Sequence, residues 1–171
     1  MTTVITDGTL YLGRNLFGLV TDIKPPEIEP NTLEIKTVGA VGVYQLPLIS
    51  VKELKSSATL TGFDINVFKK IVDPTSELTM TIYADIKEYE GSTLEEQKSF
   101  KLTMRGSCAK FPLLGELKAQ ENIEFPLEFN NTAAKVTIAG SDLWEIDIPN
   151  FIYKVNGTDL LATTKSNLGL P

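Results

Sequence analysis

The sequence predicts a mainly β domain of the sandwich or barrel type, and three observations carry that prediction. Apolar and polar residues alternate with a period of two along much of the chain, which is typical of strands with one buried and one wet face. Turn-forming residues recur every dozen or so positions, and only two short segments have helical spacing. The length of 171 residues predicts a single domain, 1–171, and the composition (42% apolar, 22% charged) is that of a globular protein.

The clearest strands lie in the second half of the chain. Leu78–Lys87 and Phe100–Cys108 alternate regularly, and we read the polar segment Glu90–Gln97 between them as a loop. Ile123–Phe129 is a further strand, and Pro126 places it at an edge or a bulge because proline cannot donate to a ladder. The remaining predicted strands are Phe17–Ile23, Thr32–Val38, Lys52–Thr61, Val136–Ile138, Trp144–Ile148 and, after a change of phase at Pro149-Asn150, Phe151–Val155.

Two short helices complete the prediction. The first runs from about Asp64, a good N-cap, to Val72, where Asp73-Pro74 stops it. The second follows Asn156-Gly157, with Thr158 as its expected cap and Gly169 as its C-terminal stop.

Composition excludes several kinds of chemistry. The chain has no histidine, which removes Ser-His and Cys-His catalysis, and its one cysteine, Cys108, rules out an internal disulfide. We therefore expect no catalytic residue, no cofactor and no metal site. Acids outnumber bases 22 to 16, and the net charge of −6 argues against tight binding of nucleic acid through phosphate neutralisation.

No targeting or membrane segment is evident. The N-terminus lacks the basic and apolar regions of a signal peptide, and no stretch approaches the roughly 20 apolar residues that span a bilayer. We expect a protein made in a cytoplasm, without stable membrane insertion.

The carboxylates Glu145 and Asp147 point to the same side of one predicted strand. Three interpretations are open: a solvated strand face, an acid–base pair, or an acidic wall that faces a channel. Paired carboxylates at this spacing are common on exposed strands, so we favour the solvated face. An enzymatic function would depend on these two residues and Glu121 alone.

Segment 37–51 is apolar and carries no charged residue, although it contains two glycines and a proline. It is either a buried β-hairpin of the core or an extended apolar arm that docks on a neighbouring subunit, since large exposed apolar patches normally mark interfaces. The side chains expected to make inter-ring or inter-subunit contacts are Val38, Val41, Val43, Tyr44, Leu46, Leu48 and Ile49.

The most specific stretch lies at the C-terminus. A strand reading Glu145-Ile146-Asp147, then Asn150, then Val155-Asn156-Gly157-Thr158-Asp159 leads to a final Leu168-Gly169-Leu170. This segment resembles the C-terminal signature of the major tail tube proteins of contractile-tailed bacteriophages. Looser, collinear similarity is found at Asn15-Leu16-Phe17-Gly18, Pro26, Ile28, Gly62-Phe63-Asp64 and Arg105-Gly106-Ser107.

The resemblance implies a β-sandwich or rolled antiparallel sheet with a short flanking helix, as in the tube proteins of type VI secretion systems and phage-tail-like bacteriocins. It implies hexameric rings that stack into a hollow tube, assembled in the host bacterial cytoplasm and contained in the virion. The implied partners are other copies of the chain, a tail sheath protein, baseplate and tail-terminator proteins, and DNA in transient passage.

Two further alternatives concern the motif and the function. The residues Asn156-Gly157 and the leucines around them either form a type I′ turn that seals the base of the sandwich or contact another subunit directly. The competing function is a β-barrel carrier of a small ligand, which would leave a cavity lined by inward-facing residues.

Overall fold

The computed structural model describes residues 2–16, 19–36, 39, 41–61, 65–113 and 123–170. Two antiparallel sheets and two short helices account for most of them. In chain order the elements are β1 (Thr2–Leu12), β2 (Asn15–Leu16), β3 (Leu19–Lys24), β4 (Pro30–Ile35), β5 (Tyr44–Val51), β6 (Leu54–Thr61), α1 (Ile65–Ile71), β7 (Leu78–Glu90), β8 (Thr93–Lys110), β9 (Glu124–Ile138), β10 (Ser141–Asp147), β11 (Ile152–Val155), β12 (Thr158–Asp159) and α2 (Ala162–Asn167).

The main sheet follows the order β12-β11-β10-β9-β8-β7-β1-β2, and it forks along β9. The second half of β9 pairs with β10, whereas its first half pairs with β6, which in turn pairs with β3. β4 and β5 form a separate two-stranded sheet.

One face of the main sheet supplies nearly all of the hydrophobic core. Leu12, Met80 and Leu102 from β1, β7 and β8 belong to the same cluster as Leu60 from β6 and Trp144 from β10. A continuous sheet can bring one face into a single cluster only by curling around it. The mainly β fold predicted from the sequence, with a rolled antiparallel sheet, is therefore confirmed, and α1 adds Val67 and Ile71 to the core.

The sheet curls at the middle of the β8–β9 pairing, where β9 has a β-bulge. Between Arg105↔Ala133 and Gly106↔Asn131 the register shifts, so that Thr132 is an extra residue in β9. Inward-facing residues are odd-numbered before this bulge and even-numbered after it. Gly106 is required there, because a Cβ on it would lie 2.1 Å from the Asn130 carbonyl oxygen.

Because the bulge changes the phase of alternation, the sequence pattern predicts two strands here, Ile123–Phe129 and Val136–Ile138. In the structure they are parts of one strand, β9, which is continuous from Glu124 to Ile138. The strand predicted to lie at an edge because of Pro126 is instead central, since β9 pairs with β8 on one side and with β6 and β10 on the other. Pro126 faces Thr59 of β6 on one side, and the register of β8 ends at Lys110↔Glu128 before reaching it.

The predicted loop Glu90–Gln97 is wrong. β7 continues to Glu90 and β8 begins at Thr93, with a tight turn at Gly91, whose φ is +62°. This end of the hairpin extends beyond the core, so its charged residues stay solvated while the backbone ladder continues. β1 was not predicted from the sequence, because its residues before Leu10 are exposed on both faces and do not alternate.

Both helices lie where the sequence predicts them, but the predicted N-cap of the second helix is wrong. α1 matches the predicted segment, while its expected cap Asp64 lies outside the described residues. Thr158 does not cap α2: it belongs to β12, and Leu161 occupies the N-cap position without a side-chain hydrogen bond. Gly169, with a φ of +66°, ends α2 as predicted.

Large apolar side chains of the described residues occupy the interior of the roll. Phe129, Leu54, Ile71, Met80 and Leu127 are almost completely buried, so inward-facing residues of the described chain pack against one another. The ligand carrier would need a cavity along those same residues. Among the described residues, no helix combines the length and apolar character that crossing a bilayer requires.

Gly106→Ala is expected to destabilise the protein by more than about 2 kcal/mol, because the added Cβ meets backbone atoms of Asn130 and Asn131 that cannot rotate away. Gly8→Ala is the matched control, since a Cβ on Gly8 lies 3.7 Å from its nearest neighbour. Urea unfolding measures both variants, and equal midpoints would contradict the role assigned to Gly106.

Candidate functional site

The β4–β5 hairpin carries an apolar face that is largely exposed among the described residues. Leu33 pairs with Leu46 and Ile35 pairs with Tyr44, so these four side chains lie on one face. Leu46 is 38% exposed, Tyr44 58% and Leu33 51%. At its base, Val51 is packed against the core.

The arm predicted from the sequence is thus a hairpin, but it is not a buried one. Val41, Val43, Leu48 and Ile49 are also exposed, and Val38 lies outside the described residues. The interpretation of 37–51 as a buried core hairpin is therefore wrong. The contacts of these residues with another subunit remain a prediction.

The main sheet ends in open edges. β1 pairs with β7 on one side, and on its other side only Tyr11 and Leu12 pair with a described strand, β2. At the opposite end, the described sheet finishes with β12, two residues long. Open edges offer unpaired backbone groups to another chain.

The side of the main sheet that faces away from the core, from β7 to β11, is polar, and we call it the open face. It has small and charged side chains in cross-strand rows. Its members are Thr79, Thr81, Tyr83, Lys101, Thr103, Arg105, Ala133, Lys135, Thr137, Asp142, Glu145, Asp147 and Lys154.

Asp147 is the best-connected carboxylate of the open face. It is buried and forms an ion pair with Arg105 of β8. Asn150 donates its backbone N–H to Asp147 Oδ1 at 3.2 Å and its side-chain Nδ2–H to Oδ2 at 2.9 Å. Asp147 therefore closes the turn between β10 and β11 and ties that turn to β8.

Glu145 lies between two lysines in one row, opposite Lys135 of β9 and Lys154 of β11. Lys135 forms an ion pair with Asp142 at 2.8 Å, and this hydrogen bond, aided by the charges of Glu145 and Asp142, raises the pKa of Lys135. The structure does not bring Glu145 and Asp147 into an acidic wall, because each of them faces a cation. Glu121, the third acid of the enzymatic alternative, lies outside the described residues.

The C-terminal motif residues build turns. Asn156 and Gly157 both have positive φ, +50° and +79°, which is the type I′ geometry expected between β11 and β12. Asp159 accepts the Leu161 N–H at 3.0 Å and the Lys165 ammonium at 3.2 Å. The Leu161 N–H, followed by Lys165, holds the pKa of Asp159 below its ordinary value.

Of the three leucines expected to seal the base of the sandwich, Leu161 is half-buried, whereas Leu160 and Leu168 are exposed. Leu168 is 61% exposed, and Leu170 is exposed as well. The C-terminal end thus presents a second set of apolar side chains to solvent. The sequence indicated these leucines but could not show which way they point.

The fold is shared with solved components of contractile injection systems. A chain of the sheath–tube complex of the extracellular contractile injection system PVC, in its extended state, superposes with a TM-score of 0.55 at 10% identity, over 77% of this chain and 86% of that one. A chain of the PVC sheath/tube terminator gives 0.52 at 11% identity, over 77% and 91%. At these identities the likeness concerns the fold alone, and it defines the class: a β protein of the contractile-system tube type.

The chain belongs to the family described as phage tail tube protein FII, whose model matches residues 3–169. The tail tube protein of Escherichia phage P2 is 34% identical over 82 residues, which are 48% of this chain and 47% of that protein. The match thus spans about half the length of that relative. The tail tube family predicted from the C-terminal segment is confirmed.

Asp147→Asn is expected to destabilise the protein by about 2 kcal/mol, because it removes a charged acceptor from Arg105 and Asn150. Glu145→Gln, on the same strand and face, is expected to change stability by less than about 0.5 kcal/mol. Chemical denaturation compares the two, and a larger loss for Glu145→Gln would contradict this assignment.

The docking of α2 is expected to weaken in acid. Since the folded pKa of Asp159 is lowered, its contribution is fully present above the ordinary aspartate pKa of about 3.9 and is lost as the pH falls through the lower, folded value. The protection factors of the amides of residues 161–168, which correct for the intrinsic pH dependence of exchange, should fall below about pH 4. Asp159→Asn should remove that pH dependence, and the distant Asp142→Asn should preserve it; a response unchanged by Asp159→Asn would disprove the linkage.

Proposed function

We propose that this chain is the structural subunit of an inner tail tube. Six copies form a ring, and rings stack into a hollow tube inside a contractile sheath, through which the genome is ejected. The observation that carries the proposal is the β4–β5 hairpin, whose apolar face lacks a partner among the described residues.

An isolated two-stranded hairpin is marginally stable in water. This one joins the rest of the described protein through a base at which Lys52 donates its backbone N–H to the Glu29 carbonyl at 2.8 Å. Complete burial of one Leu or Val side chain is worth about 1.5–3 kcal/mol. Docking Leu33, Tyr44 and Leu46 on a copy in the next ring would therefore stabilise both the hairpin and the stack.

The open edges support ring closure. β1 and β12 lie at opposite ends of one sheet, so an edge of one copy meets a different edge of the next. Such heterologous contacts generate a ring when the rotation closes, and closure pairs the β1 and β12 edges. The exposed Leu160, Leu168 and Leu170 would add apolar contacts near the β12 edge.

The family supports a structural, non-enzymatic role in the tail of a virion. The proposed partners are a sheath protein around the tube, together with baseplate and tail-terminator proteins at its ends. DNA passes through without stable binding. Assembly would take place in the cytoplasm of the host bacterium.

Electron microscopy of the purified protein is expected to reveal rings or long hollow rods. Leu46→Lys should reduce this assembly at least tenfold, because it puts a charge on the docking face of the hairpin. Gln45→Lys, one residue away on the opposite face and next to Glu34, is the matched control and should assemble normally.

Both variants should unfold at the same denaturant concentration as the parent monomer, since the hairpin face lies outside the core. A parent protein that stays monomeric at every concentration would overturn the proposed function. Equal assembly of the two variants would overturn the role of the hairpin.

A further inference from the structure

The open face has a definite position in a closed ring, if the proposed function holds. The edges β1 and β12 belong to the part of the sheet that carries this face, while β3, β6 and α1 lie on its core side. Closing the sheet with the core side inward would fill the bore with those elements. Closing it with the open face inward leaves a single layer of strands as the wall of the bore.

The charge on this face differs from that of the whole chain. Its four cations are Lys101, Arg105, Lys135 and Lys154, against the three carboxylates Asp142, Glu145 and Asp147. The net charge of the chain is −6, so its acidic excess lies elsewhere. One location is an open groove on the other outer surface, lined by Glu27, Glu29, Glu53 and Glu128 with Lys24 and Lys55.

Two cations of the open face are in ion pairs with carboxylates, and the other two lie beside a carboxylate or an aromatic ring. Arg105 pairs with Asp147, and Lys135 pairs with Asp142. Lys154 lies opposite Glu145 and contributes to the lowered pKa of Asp142, after the hydrogen bonds from Lys135 and Thr137. Lys101 has its ammonium 5.6 Å from the centroid of the Tyr83 ring.

We propose that the open face is a bore wall in which fixed carboxylates pair with or flank three of the four cations, and thereby weaken the attraction of these cations for the phosphates of passing DNA. A free lysine gains affinity for DNA because it neutralises a phosphate and releases a counterion. A lysine that is paired with a fixed carboxylate must break that ion pair before it can bind a phosphate, so replacing the carboxylate by the phosphate gains little free energy. The effect matters because any residual affinity for DNA is repeated in every subunit of the tube, and many weak contacts along one DNA molecule add up to strong binding.

The test uses assembled tubes and a fluorescent 20-base-pair duplex at low salt. When tubes of the parent protein are sedimented, the duplex should stay in the supernatant. Tubes of Asp142→Asn/Glu145→Gln lose the carboxylate paired with Lys135 and the carboxylate opposite Lys154, while Asp147 stays on Arg105, and they should retain at least tenfold more duplex. Added salt should release the duplex, as counterion release requires.

Asp22→Asn/Glu124→Gln is the matched control, because it removes two carboxylates away from the open face, on β3 and on the first half of β9, and neither carboxylate is in an ion pair with a described cation. These tubes should retain no more duplex than the parent. Retention equal to that of the Asp142/Glu145 variant would show that overall charge is responsible, and would overturn the inference. Duplex retained by the Asp142/Glu145 variant should resist nuclease, because a nuclease cannot enter the bore. Digestion of the retained duplex would show that the open face lies outside the bore.

The inference and the proposed function fail in distinguishable ways. Absence of tubes in the parent protein, seen by microscopy before DNA is added, overturns the proposed function. In that case the charge pairing is measured on the soluble protein by NMR, where Asp142→Asn should lower the pKa of Lys135. An unchanged Lys135 pKa would overturn the pairing itself.

Discussion

The close approach of β8 and β9 at Gly106 is the constraint on which the rest of the structure depends. β8 and β9 run through both halves of the sheet, one half containing β6 and the other containing β10. The sheet can bend between the halves because Gly106 leaves room for the Asn130 carbonyl and because Thr132 adds one residue to β9. The resulting curl collects side chains from β1, β6, β7 and β10 into one core. Asn131, buried at the same point, donates to the Ser56 hydroxyl at 2.8 Å and holds β6 against β9.

The same curl determines what is left unburied. The main path of the described sheet leaves most of β1 unpaired at one end and finishes with the short β12 at the other. The β4–β5 hairpin leaves the roll with its apolar face uncovered. Among the described residues, both a hydrophobic hairpin and sheet edges are left without partners, and this is the basis of our proposal that copies of the chain complete one another.

The C-terminal motif and the open face are linked through Asp147. The residues that identify the family in the sequence act locally: Asp147 with Asn150, Asn156 with Gly157, and Asp159 with Leu161 each close a turn. Those turns hold β11 and β12 in line with β10, which places Lys154 beside Glu145. Turn chemistry at the end of the chain thus sets the spacing of charges on the polar side of the sheet.

Local patterns determined a large part of this protein by themselves: the mainly β fold, the places of both helices, the strands around Met80 and Leu102, the turn at Asn156-Gly157, and the family. These features depend on neighbours in the chain, where alternation and turn residues act directly. Tertiary structure decided the rest. Whether Leu46 and Leu168 are buried, whether Glu145 and Asp147 form an acidic surface, and whether β9 is one strand or two depend on which distant strands lie alongside. A side chain has the same sequence neighbours in either case, but its burial and its charge partners come from the strands across the ladder.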